Sequence, residues 1–250
     1  MIAKTCEGPV ADLRVGTSGY AYPAWKGTFY PARLPAREML AYYAARFPTV
    51  EINHTFYRMP SERTLREWAG QVPAGFQFAV KLNQKITHVQ RLRDSEELLE
   101  RFLSAVSVLA QSRQLGPILT QLPPSFRADL AALDEFLRLV PPLFRMAVEV
   151  RHRSWQTEEA YAVLRQHRVA LCLAETDEEP VSTEGPAPDG ATADFVYVRL
   201  RREAYASADL AAWRRRCDAW TAAGLDVYAY FKHEDAGRGP AYARELAGAG

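Results

Sequence analysis

The stretch "TVEINHTFYRMP", Thr49 to Pro60, decides the fold. Val50 and Ile52 alternate with Glu51 and Asn53, and a strand sends successive side chains to opposite faces. One face is apolar and suits a layer of helices. The other carries a carboxylate and an amide, which are costly to bury without partners, so it faces an interior that supplies them.

Seven further runs read as strands: "LRVGTSGY" from Leu13, "FQFAVKLN" from Phe76, "LGPILTQL" from Leu115, "RMAVEVRH" from Arg145, "VALCLAET" from Val169, "DFVYVRLR" from Asp194 and "LDVYAYFKH" from Leu225. Between most of them, segments such as "PAREMLAYYAARF" and "SEELLERFLSAVSVLAQ" return apolar residues every three or four positions, the period of a helix. Strand and helix alternating eight times predict a parallel sheet closed into a (β/α)₈ barrel of the TIM type, one α/β domain over residues 1–250. The Pro-, Gly- and Asp-rich segment Asp177 to Asp194 predicts a long loop in place of most of the sixth helix, either a lid or an inert surface excursion.

The same alternation assigns directions elsewhere. With Phe78 and Val80 outward, Lys81 and Asn83 point inward; with Val148 and Val150 outward, Glu149 and Arg151 do. Val198 and Leu200 outward turn Arg199 inward, and Ala229 and Phe231 outward turn Lys232 inward. On the sixth strand, Cys172 and Ala174 outward predict an inward Glu175. Each polar residue lies late in its strand, at the end where such barrels place their sites.

Three carboxylates and several cations on one ring suit acid–base chemistry on an anion. Glu51, with no arginine in its own strand, is the expected base, while Glu149 either shares that role or pairs with Arg151. Lys81 reads as an electrostatic clamp, a proton donor or a Schiff-base amine, or as a neutralising partner for Glu51. Asn53 and Asn83 supply hydrogen bonds to substrate. Arg199, Lys232 and the Gly237 to Gly239 turn form a candidate anion site before the last helix, the alternative being an ordinary connector.

Tyr20, Tyr22, Trp25, Phe29 and Tyr57 roof the same end and could stack on a sugar or base, with Trp25 and Phe29 reading rather as a satellite core. Arg214, Arg215 and Arg216 lie on a helix whose buried stripe is Leu210, Trp213, Cys217 and Trp220, so they form a solvated face. His54, His88, His152 and His233 fall near strand ends but make neither HxH nor HExxH, and alternation makes His54 an outward core residue. No transition-metal site and no cofactor are expected, while a hard divalent cation on Glu51 or Glu149 stays open.

Composition narrows the classes. A formal net charge of +1 argues against wholesale coating of nucleic acid but permits a local cationic pocket. Five of the 31 basic residues are lysines: Lys4, Lys26, Lys81, Lys85 and Lys232. Cys6, Cys172 and Cys217 form no CxxC pair, which argues against a disulfide or zinc framework. Neither a signal peptide nor a membrane span is indicated, and the expectation is a cytoplasmic protein.

The stretches "VGTSGYAYPAWKGTFYP" from Val15, "EINHTFYRMP" from Glu51, "FAVKLNQKITH" from Phe78, "LGPILTQLPPSF" from Leu115 and "AVEVRHRSW" from Ala147 resemble the YecE-like family, the domain-of-unknown-function family numbered 72. Five ordered motifs cover the chain nearly end to end. The resemblance implies a TIM-type barrel and no established activity. Where the family reads Arg-Leu-His-Gly after the seventh strand, this chain has "RLRR" from Arg199; where it reads Asn-Asn after the eighth, this chain has Lys232 and His233. The expected function is that of a hydrolase or lyase acting on a small anion bearing phosphate or carboxylate. The alternatives are a barrel acting on nucleic acid or phosphodiesters, suggested by the cationic, aromatic mouth, and a non-catalytic ligand-binding protein.

Overall fold

The computed structural model describes residues 11–178, 191–233 and 237–248. All eight strands form: β1 (Leu13–Thr17), β2 (Thr49–Ile52), β3 (Gln77–Lys81), β4 (Leu115–Gln121), β5 (Met146–Glu149), β6 (Ala170–Glu175), β7 (Phe195–Leu200) and β8 (Asp226–Phe231). They are parallel and ordered β1-β8-β7-β6-β5-β4-β3-β2. Around them lie α1 (Met39–Ala44), a single turn α2 (His54–Tyr57), α3 (Glu62–Ala69), α4 (Glu96–Gln111), α5 (Leu130–Arg138), α6 (Glu158–Gln166), α7 (Ser207–Ala222) and α8 (Arg238–Ala247). No helix separates β6 from β7 among the described residues, and most of the expected loop there lies outside them. None of the described helices is long and apolar enough to cross a membrane.

The seam between β1 and β2 closes the barrel differently from the other junctions. Gly19 N donates to Glu51 O at 2.8 Å, just beyond the end of β1. Below it, a tyrosine from the helix layer bridges the gap: Thr17 N donates to Tyr43 Oη at 2.8 Å, and Tyr43 Oη donates to Thr49 O at 3.0 Å. The close approach needs Gly16, because a Cβ there would fall 2.2 Å from Thr49 O.

Two cores follow from the alternation. The outer one joins strand residues such as Val50, Phe78, Val148 and Val198 to the helices. The inner one fills the barrel with large Phe195, Tyr197, Tyr228 and Tyr230 from β7 and β8, opposite small Ala79, Ala147 and Ala170. Trp25 and Phe29 are buried in the outer core, as expected of a satellite cluster, and Trp213, Cys217 and Trp220 make the buried face of α7.

β6 reverses one expectation. Cys172 belongs to the inner core, and Glu175 turns outward to accept from Trp213 Nε1 of α7 at 3.0 Å. The residues of "VALCLAE" are apolar on both faces until Glu175, so alternation carried no direction there. The tall Tyr197 beside Cys172 leaves interior room for a small side chain, and Trp213 supplies the donor that a buried carboxylate requires.

Replacing Tyr43 with Phe keeps the aromatic volume but leaves Thr17 N and Thr49 O without their bridge. Unfolding in urea should show a loss of about 1–3 kcal/mol, the usual cost of stranding buried polar groups. Unchanged stability would mean that the seam is held by its backbone contacts alone.

Candidate active site at the carboxyl end of the barrel

Above the inner aromatic layer, polar side chains from six strand ends meet. β2 delivers Glu51 and, past its end, Asn53; β5 delivers Glu149; both carboxylates are fully buried. Arg199, from β7, lies between them. Its Nη2 donates to Glu51 Oε1 at 2.9 Å and its Nη1 to Glu149 Oε2 at 2.5 Å. One guanidinium therefore serves two carboxylates across the barrel, a geometry that the planar fork of arginine permits and a lysine could not reproduce.

Each carboxylate has further donors. Glu51 accepts from Tyr197 Oη at 2.8 Å, from a very short Ser18 hydroxyl contact, and from Asn53 Nδ2 at 3.5 Å, while Asn53 Nδ2 also donates to Ser18 Oγ at 2.8 Å. Glu149 accepts from Gln121 Nε2 at 2.5 Å and from Arg201 Nη1 at 3.3 Å, with Arg151 Nε 3.9 Å away. Burial alone would raise both carboxyl pKa values. The charge of Arg199, joined by Arg201 at Glu149, and these hydrogen bonds outweigh burial and hold both below the ordinary carboxylate range. The expectation of a base free of arginine does not describe Glu51: the arginine comes from another strand.

Lys81 behaves oppositely. Its ammonium lies 3.8 Å from the centroid of the Phe56 ring and donates to Gln121 Oε1 at 2.6 Å. None of the described carboxylates lies within ion-pair distance of it, so the expected neutralising pair with Glu51 is absent. Burial first, then the nearby charge of Arg199, lowers its pKa to about 8. His88, on a single π turn (Lys85–Val89) that follows β3, packs edge-on against Phe56, and burial and Lys81 lower its pKa. Such π turns recur at functional sites.

Other expected residues divide. Asn83 is buried but structural: Nδ2 donates to Thr55 O at 3.1 Å, and Oδ1 accepts from Lys85 N at 3.1 Å. Tyr20 lines a cavity of about 280 Å³ with Tyr22, Asn53, His54 and Trp68, whereas Tyr57 is exposed. His54, expected to be buried outward, is exposed at the start of α2. Arg151 is partly exposed at the rim.

Part of the expected anion site after β7 and β8, residues 234–236, lies outside the described residues. Arg199 is committed to the carboxylates, and Lys232 is exposed beyond β8. Gly237 has φ 73°, and a Cβ there would fall 2.5 Å from Thr28 Oγ1; a Cβ on Gly239 would fall 3.0 Å from His233 O. Both glycines thus answer to close packing. A larger cavity of about 590 Å³, lined by Arg138, Arg145 and His167, sits at the opposite end of the barrel and is not part of this ring.

Ser18, Gln121, Tyr197 and Arg201 join the site without having been singled out. Tyr197 and Arg201 share the inward parity of Arg199, two positions to either side, and Gln121 follows the inner-core residue Leu119 by two. Among the described residues, no group of three or more His, Cys, Asp or Glu side chains is placed to hold a metal ion.

The profile of the family described as "Protein of unknown function DUF72" matches residues 14–249. The chain is 34% identical over 178 residues to the UPF0759 protein YecE of Escherichia coli K12, an alignment covering 70% of this chain and 62% of that protein. It is 27% identical to the UPF0759 protein YunF of Bacillus subtilis over 64% of this chain and 60% of the relative, so the matches span under two thirds of these relatives' length. A crystal structure of a DUF72 family protein from Thermotoga maritima superposes with TM-score 0.80 at 27% identity, covering 95% of this chain and 98% of the other. An AP endonuclease, family 2, from Brucella melitensis shares the fold with TM-score 0.52 at 13% identity, over 93% and 97% of the two chains.

Replacing Arg199 with Met should cost about 3–5 kcal/mol at neutral pH, because both carboxylates stay buried without their shared cation. Both carboxyls titrate below their usual range when folded, so the stabilisation is full above the unfolded value of about 4.3 and is lost as pH falls through the folded values. The stability gap between wild type and variant, read by urea titration, should therefore narrow on acidification. A gap independent of pH would assign the loss to packing.

Proposed function

The chain belongs to the DUF72 family of proteins of unknown function, and we propose that it is a hydrolase or lyase acting on a small polar anion at the carboxyl end of its barrel. The observation that carries this is the charge count of the ring. Arg151, Arg199, Arg201 and Lys81 face Glu51 and Glu149, so these six groups hold two positive charges in excess. A phosphate or carboxylate brought to the rim would complete the pairing. Arg201 is the nearest candidate to receive it, since burial and the charge of Arg199 lower its pKa despite Glu149.

The ring also supports a division of roles. Glu51 and Glu149 are held as anions and act as positioning residues for Arg199 and Arg201. Proton transfer falls to Lys81, whose pKa of about 8 lies near working pH, where an acid–base group is most effective. The cavity beside Asn53, walled by Tyr20, Tyr22 and Trp68, suits an apolar or ring-shaped part of the ligand. Those same aromatics support a second reading, in which a single-stranded nucleic acid supplies both phosphate and base. The likeness to an AP endonuclease is one of fold and does not favour it.

Calorimetry with sulfate, which does not titrate near neutrality, tests the first reading. Arg201→Ala should weaken binding by about 1.5–3 kcal/mol, the worth of a charge-assisted hydrogen bond, while Arg215→Ala on the exposed face of α7 should change little. Affinity should fall as pH rises through about 8 and Lys81 loses its proton, and that step should vanish in Lys81→Met. Equal affinities for both arginine variants would remove the rim from the binding site. A steep loss of oligonucleotide binding with added salt would favour the second reading.

A further inference from the structure

Lys81 makes no ion pair with any of the described carboxylates. The ring around it contains two buried carboxylates, and both are used by other donors: Arg199 and Tyr197 at Glu51, Arg199, Arg201 and Gln121 at Glu149. The amine instead meets one neutral amide oxygen and one aromatic face. Neither can take its proton. It lies at the last position of β3, held on a rigid strand, and is 8% exposed at the mouth of the barrel. Thr55 Oγ1 donates to the Lys81 carbonyl at 2.6 Å, which fixes the backbone that carries the amine. Desolvation beside other cations is the environment that releases a lysine amine for attack on carbonyl carbon.

We infer that Lys81 forms a covalent imine with a carbonyl compound that also carries an anionic group, the carbonyl meeting Nζ and the anion meeting Arg201 and Arg151 at the rim. This deepens the anion-site reading and rests on it. The neutral amine adds its lone pair to the carbonyl carbon, a C–N bond forms, and the carbonyl π pair moves to oxygen, which takes a proton. The carbinolamine then loses water, so both amine hydrogens leave nitrogen in the net exchange of C=O for C=N. Protonation of that nitrogen gives an iminium, an electron sink for breaking an adjacent C–H or C–C bond. No oxidant or reductant enters. The substrate class is an oxo acid or a phosphorylated aldehyde or ketone, and the reaction class is a lyase or proton transfer next to the carbonyl.

Reductive trapping on the full chain tests this, with glyoxylate as the anionic aldehyde, glycolaldehyde as the neutral one, and cyanoborohydride as hydride donor. Adducts are located by peptide mass spectrometry, where Lys26, Lys85 and Lys232 are exposed internal references in the same molecule. At pH 7 a lysine of pKa about 8 is on the order of 10% neutral and an ordinary one about 0.04%, so Lys81 should label on the order of 10²-fold faster despite its burial. Its labelling should rise with pH and level off above about 8. Arg201→Ala should slow glyoxylate trapping at Lys81 more than glycolaldehyde trapping, which it reaches only through its share in lowering the Lys81 pKa.

Labelling of Lys81 by both aldehydes no faster than that of the exposed lysines overturns the imine, whatever sulfate calorimetry reports for the rim. Fast labelling of Lys81 by both aldehydes, with Arg201→Ala changing the two rates by the same factor, upholds the amine as nucleophile and overturns the anion site beneath it.

Discussion

A single guanidinium shared by two buried carboxylates governs the upper half of this barrel. Isolated charges in such a place would cost several kcal/mol each, and one cation between two anions still leaves a net negative charge to satisfy. The structure answers with neutral and cationic donors ranked around each carboxylate: Ser18, Asn53 and Tyr197 at Glu51, Gln121, Arg201 and Arg151 at Glu149. These groups come from β1, β2, β4, β5 and β7 or the turns just past them, so the ion cluster ties together strands that are not sheet neighbours. Below it, Tyr197 and Tyr230 close the interior with tilted rings 5.2 Å apart, and Tyr230 Oη meets Thr49 Oγ1 at 2.7 Å. That layer separates the polar ring from the lower barrel, and Tyr197 belongs to both.

The fold was legible because strand-like runs recur eight times with helical periods between most of them, and five of the strands alternate apolar with polar residues. The directions of Glu51, Lys81, Glu149 and Arg199 follow from that alternation alone. What alternation could not reveal is who meets whom. Glu51 and Arg199 are 148 residues apart, and their contact depends on closure of the whole sheet. Judging Glu51 by its own strand therefore missed the arginine that fixes its charge. Glu175 failed for a different reason: its strand is apolar on both faces, and the donor that settles its direction is the indole of Trp213, which a hydropathy pattern counts only as apolar surface.

The departures from the family pattern after β7 and β8 meet in space. Arg201, standing where the resemblance implies histidine, adds a second guanidinium to Glu149. Its neighbour Arg202 offers a backbone carbonyl to His233 Nε2 at 2.6 Å, and His233 is one of the two residues standing where the family reads Asn-Asn. Tyr205 and Tyr242 pack on that imidazole, with ring centroids 5.9 and 5.1 Å away. Arg202 and His233 thus belong to one packed unit, and Arg201 beside Arg202 adds a positive charge at the rim.

Gln121 lets the ring hold a buried carboxylate and a lysine ammonium side by side. Its amide has one donating and one accepting end. Glu149 can only accept, and the Lys81 ammonium can only donate, so the side chain has one satisfactory orientation, with Nε2 to the carboxylate and Oε1 to the ammonium. A glutamate in its place would set a negative charge against Lys81 and favour the ammonium, while adding repulsion at Glu149. An apolar residue would leave the ammonium without its hydrogen bond and take from Glu149 Oε1 the shorter of its two, leaving it Arg201 at 3.3 Å. Only a neutral group with both polarities keeps cation and anion apart without leaving either unsatisfied.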